Sequence, residues 1–287
     1  MAFDKGFWQT ILGLSYKWKP KFVRVFLDAV AASLEGLTAK TISEPMARGD
    51  LFGVEAALNR KQFLDHLDGY KPLFTRLLQE SGQATADYIS TGARAKFGFD
   101  LVDPHAVHWI NSHSAELVKY IDDSSKTAIR EIIRDGFENG ITPKEMAKRI
   151  EQHIGLDPQR SRALQKHRES LIEGGFSPSE VSKRSDQFAR RLLKDRAYGI
   201  ALNETLEASN QGFFLGTKQA VARGILDPQK YEGYRIVTPD DRLCPRCSSI
   251  RGERRQLPDG YYQSTGRQVA KVHNCCRCCE GIRAISN

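Results

Sequence analysis

The chain has 287 residues, 40% of them hydrophobic and 27% charged, and a net charge of +8. That balance supports a buried core and excludes a chain disordered throughout, and the length suits one large domain or, as expected here, two modest ones. The apolar stretch 22–34 is interrupted by Arg24 and Asp28. It falls short of the roughly 20 apolar residues needed to cross a bilayer, so it predicts a buried helix and no membrane partner. Residues 1–14 mix Asp4 and Lys5 with apolar side chains. They lack a basic n-region, a continuous h-region and a small-residue cleavage site, so no export signal is expected.

From the N-terminus to about Asn210 the pattern is helical. His105, His108 and His113 lie around Trp109; without a further ligand at fitting spacing they read as solvated or packing histidines. Ile129, Ile132, Ile133 and Phe137 mark one amphipathic segment. Thr142-Pro143-Lys144-Glu145 is a capping box with proline at the first helical position, followed by Met146, Ala147, Ile150 and Ile154 and stopped by Gly155. Asp157-Pro158 opens another helix, and Ser177-Pro178-Ser179-Glu180 repeats the capped start ahead of Val181, Phe188 and Leu192. After Gly212 the texture changes, with Gly216, Gly224 and Asp227-Pro228 as punctuation, a short strand at 234–238 ending at Pro239-Asp240-Asp241, and a final strand at 281–285. The expected fold is a mainly α-helical N-terminal body followed by a small α+β zinc-binding C-terminal module, in segments 1–125, 126–212 and 213–287.

The charge is uneven. Residues 144–196 carry 13 Lys and Arg against 8 Asp and Glu, and residues 230–283 carry 11 against 6. Such a half suits sequence-independent contact with phosphate backbones, or equally a solvated, salt-bridged helix face. Arg251, Arg254 and Arg255 read as touching phosphates or solvent rather than base edges, since no recognition-helix motif stands out. Tyr261-Tyr262 could stack on bases or pack on a small core.

All six cysteines fall between Cys244 and Cys279. A secreted disulfide scaffold spreads its cysteines, whereas a chain in a reducing compartment gathers them around a metal. Cys244-Pro245-Arg246-Cys247 is a Cys-x2-Cys knuckle, and His273, Cys275, Cys276, Cys278 and Cys279 return to it. Four donors close a tetrahedral zinc site. Cys244, Cys247, His273 and Cys276 form a Cys3His set. Cys278, two residues after Cys276 and hence on the same face of an extended chain, is the alternative fourth ligand. The zinc is expected to be structural. No catalytic residue is assigned, because His-Glu-x-x-His and the His-x-Glu of a deaminase are both missing.

The run 197–212, "AYGIALNETLEASNQG", then "YRIVTPDDRLCPRCSSIRG" at 234–252 and "VHNCCRC" at 272–278, together resemble the C-terminal domain of the phage Mu F-like minor head protein family. The resemblance puts Glu204 on the family's helix glutamate, Asp241 and Arg242 on its Asp-Arg, Cys244 and Cys247 on its knuckle, and His273, Cys276 and Cys278 on its closing signature. It covers about 85 residues closely and 109–193 loosely. It implies a minor capsid protein inside the head, assembled in the host cytoplasm and associated with the portal protein. Further partners it implies are scaffold or major capsid protein and, non-specifically, double-stranded DNA. On this resemblance 1–125 makes portal or capsid contacts and 126–212 is the helical part of the family's domain. Glu204 is then structural, bonding to the zinc module or to Arg242. Two other classes are weighed beside it: a zinc-ribbon DNA-binding regulator of the host cell, and a nuclease- or transferase-type enzyme, for which no segment remains after the module.

Overall fold

The computed structural model describes residues 5–93, 95–238, 243–274 and 276–285. It is mainly helical, 68% of the chain, with a small three-stranded sheet near the C-terminus. The helices are α1 (Lys5–Ser33), α2 (Ala39–Ala47), α3 (Leu51–Ala56), α4 (Arg60–Leu67), α5 (Tyr70–Ala93), α6 (Pro104–Glu138), α7 (Pro143–His153), α8 (Pro158–Glu173) and α9 (Pro178–Ala222). They are followed by β1 (Tyr231–Ile236), α10 (Pro245–Ser248), β2 (Arg254–Gln256) and β3 (Cys279–Ala284). Pro239, Asp240, Asp241, Arg242 and Cys275 lie outside the described residues. No described helix is long and apolar enough to cross a membrane; the stretch 22–34 belongs instead to α1, with Phe22, Phe26, Ala29 and Val30 buried and Arg24 and Asp28 paired at 3.4 Å on the exposed side.

Two compact units divide the chain discontinuously: residues 1–22, 71–112 and 199–287 in one, and 23–70 and 113–198 in the other. Positions 125 and 212 fall within α6 and α9.

In the second unit the local start signals act as read. Thr142 Oγ1 accepts the Glu145 amide at 3.2 Å, and Asp157 Oδ1 accepts that of Arg160 at 2.9 Å. Ser177 and Glu180 cap each other, since Glu180 Oε2 accepts the Ser177 amide at 3.1 Å while Ser177 Oγ accepts that of Glu180 at 3.4 Å. Each bond satisfies an amide that the first helical turn leaves unpaired. Gly155 ends α7 with φ +75, and a Cβ there would meet Val30 Cγ2 at 2.4 Å and Leu193 Cδ1 at 2.9 Å. Its carbonyl accepts from buried Arg196 at 2.6 Å, and Arg196 also donates to Ser124 Oγ at 2.7 Å and Ser125 Oγ at 3.2 Å. Arg196 thereby ties α6, the α7–α8 link and α9 around one guanidinium. Nearby, buried His153 shares a 2.7 Å hydrogen bond with Ser161 Oγ.

In the first unit the change of texture expected after Gly212 does not occur, because α9 runs through Gly212 and Gly216 to Ala222. These glycines are contact points rather than breaks. A Cβ on Gly212 would meet Ser81 Oγ at 1.9 Å, and one on Gly216 would meet Thr85 Cβ at 3.1 Å, so α9 lies close against α5. Propensity disfavours glycine by roughly 1 kcal/mol in a helix, and helix contact of this closeness overrides that preference.

The sheet has the order β2-β1-β3, all antiparallel. The first strand begins three residues before the expected position and β3 two residues before, each shift taking in neighbours that pair across the sheet. Tyr234, Ile236, Cys279 and Ile282 join Phe7, Trp8 and Ile11 of α1, Ile89 of α5 and Phe213 of α9 in one core. Gly233 is opposite both Arg255 and Ile282, and a Cβ there would meet Glu280 Oε1 at 2.5 Å and Arg255 Cγ at 3.2 Å. The missing side chain lets a buried Arg255–Glu280 pair cross the central strand, with Arg255 Nε donating to Glu280 Oε2 at 2.9 Å. Arg255 therefore touches neither phosphate nor solvent, which corrects the expectation from sequence. Arg254 does lie exposed, 3.3 Å from Glu232.

Candidate metal centre

Cys244 is the N-cap of α10, and its Sγ accepts the Cys247 amide at 3.3 Å. The proline at the first helical position fixes this turn, and the turn aims both sulfurs the same way. From the loop between β2 and β3, His273 brings Nε2 to 3.1 Å from Cys244 Sγ and 3.2 Å from Cys247 Sγ. Its Nδ1 lies 2.8 Å from the Asn274 carbonyl, which can only accept, so that nitrogen carries a proton and Nε2 is the one turned to the two sulfurs. Cys276 Sγ stands 3.7 Å from Cys247 Sγ. That is close to the roughly 3.8 Å edge of a tetrahedron built on metal–sulfur bonds of about 2.3 Å.

The donors form two triads, Cys244–Cys247–His273 and Cys247–Cys276–Cys278, within each of which the ligand atoms lie within 4.8 Å of one another. Cys247 belongs to both. All five residues singled out from sequence therefore converge, and the cluster could hold a metal ion. Cys279, the next sulfur along, points into the core with Phe7 and Trp8. The described cysteines are free thiols.

The electrostatics of the cluster suit a cation. A hydrogen bond from Cys278 pulls the Cys276 thiol down to about 5, leaving it the readiest thiolate. Its charge, passed back through the same bond together with burial, pushes Cys278 far up. Burial pushes Cys247 up to about 12. Cys244 sits below its usual range because the Cys247 amide donates to it. Crowded thiolates in an apolar shell of Val237, Val272, Leu243 and Ile250 repel one another, and only a positive ion lets several ionise together.

Sequence reasoning missed what anchors this loop. Asn210 Nδ2 on α9 donates to the Cys278 carbonyl at 3.3 Å, and Trp8 Nε1 on α1 donates to that of Arg277 at 3.1 Å. Buried Glu207 pairs with Lys271 at 2.8 Å and Arg267 at 2.7 Å, while Lys271 Nζ also reaches the Asn203 carbonyl at 3.2 Å. Asn203, Glu207 and Asn210 follow helical spacing, which puts them on one face of α9. Glu204 is buried and accepts from Asn203 Nδ2 at 2.6 Å; Arg242, its expected partner, lies outside the described residues. Tyr262 is buried beneath Arg235, whose guanidinium lies 4.1 Å from the ring centre, and Tyr261 is exposed. His105 and His108 are exposed on α6.

No protein-family model, curated protein or solved structure matches this chain.

Proposed function

We propose that this chain is a phage minor head protein whose C-terminal module is stapled by a structural zinc ion. One observation carries the reading: the cysteines and histidine of the family-like signature converge on one cluster, and the family-like stretch of α9 anchors the loop that bears them. Zinc is the ion that thiolates with one imidazole suit best. Cys244, Cys247 and Cys276 would hold it with His273 or Cys278 as the fourth ligand. Such a closed site leaves no position for a reacting water and supplies folding energy instead of turnover. A small module with a short sheet needs a staple of that kind.

In this reading the helical body makes assembly contacts with the portal protein, and with scaffold or major capsid protein, inside the procapsid. The protein then takes part in head morphogenesis and DNA packaging or ejection, with its basic half in non-specific contact with the packaged DNA. Mass spectrometry of purified particles tests it: the polypeptide should be recovered from assembled heads. Its absence from heads, or duplex binding that one sequence commands against excess competitor DNA, would overturn the assignment.

A further inference from the structure

We propose that the exposed basic stripe of α9, Lys183, Arg184, Arg190, Arg191 and Lys194, is a docking surface for the phosphate backbone of duplex nucleic acid, indifferent to sequence. Lys183, Arg190 and Lys194 follow one another at spacings of seven and four, with exposed Gln187 between, and Arg184 and Arg191 lie seven apart beside them. These five side chains share one outward arc about 17 Å long at 1.5 Å per residue. None of the five forms a salt bridge among the described residues. The acid inside the arc, Asp186, is partly buried and held by Lys148 at 3.0 Å and Gln152 at 2.8 Å. Exposed acids return only at the ends, at Glu180, which Ser177 engages and which also attracts Arg184, and at Asp195.

Several other cations of the basic half are paired within the fold. Arg149 pairs with Asp135, Arg168 with Glu145, Arg235 with Glu253, Arg255 with Glu280, Arg267 and Lys271 with Glu207, and Arg283 with Glu232. The α9 stripe gathers five exposed cations on one helix, and Arg246, Arg251 and Arg254 are exposed in the C-terminal region. α8, packed on α9 through His167 and Phe188 with ring centres 4.4 Å apart, adds exposed Arg162 and Lys166. A linear array of cations whose exposed anions stand only at its ends matches a polyanion of regular charge spacing, which gains affinity by releasing condensed counterions. A membrane-binding helix would interleave large apolar side chains with its cations; here exposed Phe176 and Tyr198 flank the arc, Arg184 lying 4.3 Å over the Phe176 ring, and no large apolar side chain is exposed between them.

The inference deepens the DNA contact in the proposed function, but its test uses the purified full-length chain, so it stands or falls apart from particle incorporation. Binding to two unrelated duplexes of equal length is measured across a salt series for the unaltered protein and for Lys183→Gln/Arg190→Gln/Lys194→Gln. A control set of equal charge, Lys40→Gln/Lys71→Gln/Lys119→Gln, removes exposed lysines elsewhere. The stripe variant should bind both duplexes at least about tenfold more weakly near 0.1 M salt, with the slope of log affinity against log salt reduced by about 2.7, and the control should match the parent. Equal losses in both sets would reduce the effect to net charge and overturn the proposal. So would an unchanged slope, absence of duplex binding, or stripe-dependent binding to phosphatidylserine vesicles alone. Circular dichroism identical to the parent excludes misfolding of the variant, and the single variant Arg190→Gln should lower the slope by about 0.9.

Discussion

Residues 144–196 and 230–283 each carry five more basic than acidic side chains, yet the second stretch buries Arg235 and Arg255 beside the sheet, with Arg246, Arg251 and Arg254 exposed, while the first leaves five exposed cations together on α9. Around the sheet, Arg235 and Arg255 are wholly buried against Glu253 and Glu280, and on the exposed arc of α9 five cations face water. The difference is one of partners in space. The carboxylate that neutralises Arg255 arrives from elsewhere in the fold, since β3 delivers Glu280 across Gly233, whereas the five α9 cations form no salt bridge among the described residues. Equal net charge thus serves cohesion in one region and leaves a surface for recognition in the other.

The comparison breaks most forcefully at the cluster that closes the C-terminal region. Cys247→Ser removes the one sulfur shared by both triads. It should cost the module most of a metal-coupled folding energy on the order of 10 kcal/mol, read as rapid proteolysis within 231–285 while helical circular dichroism persists. Resistance equal to the parent would mean that the sheet and its ion pairs suffice alone.

Next in size is the buried pair itself. Glu280→Gln leaves Arg255 with an uncompensated charge and should destabilise by about 3–5 kcal/mol in urea unfolding, while Arg255→Met/Glu280→Leu should recover much of the loss. If the double variant is no better than the single, the pair has a role beyond mutual neutralisation.

These two tests separate what the sequence made legible from what it did not. Helix starts at Thr142, Asp157 and Ser177 are local chemistry, written within four residues, and the Cys-x2-Cys knuckle is equally local. Arg255 looked like a surface cation because its partner stands 25 positions away, and Gly212 looked like a break because Ser81, which demands it, lies on another helix. All five side chains of the cluster could be read from the sequence, and both His273 and Cys278 lie within reach of the shared Cys247. Asp241, Arg242 and Cys275 fall outside the described residues.

The helical region has its own pH signature. Burial, with Arg149 and Arg168 nearby, pushes His153 down to about 3, against about 6.5 unfolded. The native state stays neutral while the unfolded state takes up a proton, so stability is full above pH 6.5 and is lost as pH falls toward 3. The loss between pH 7 and pH 5 should be about 2 kcal/mol, and His153→Gln should flatten that slope. A slope that survives the substitution would assign the titration to another group. Smallest of all, Lys183→Gln/Arg190→Gln/Lys194→Gln should change stability by less than about 0.5 kcal/mol, in contrast to any change at Arg255. A larger loss would mean that the α9 stripe belongs to the fold.

If one metal ion gathers the C-terminal cysteines, native mass spectrometry of the purified full-length chain should weigh it. The expected mass includes one zinc per chain, released by acid or strong chelator together with the module's protease resistance. A folded, protease-resistant protein whose mass equals that of the bare polypeptide would contradict it.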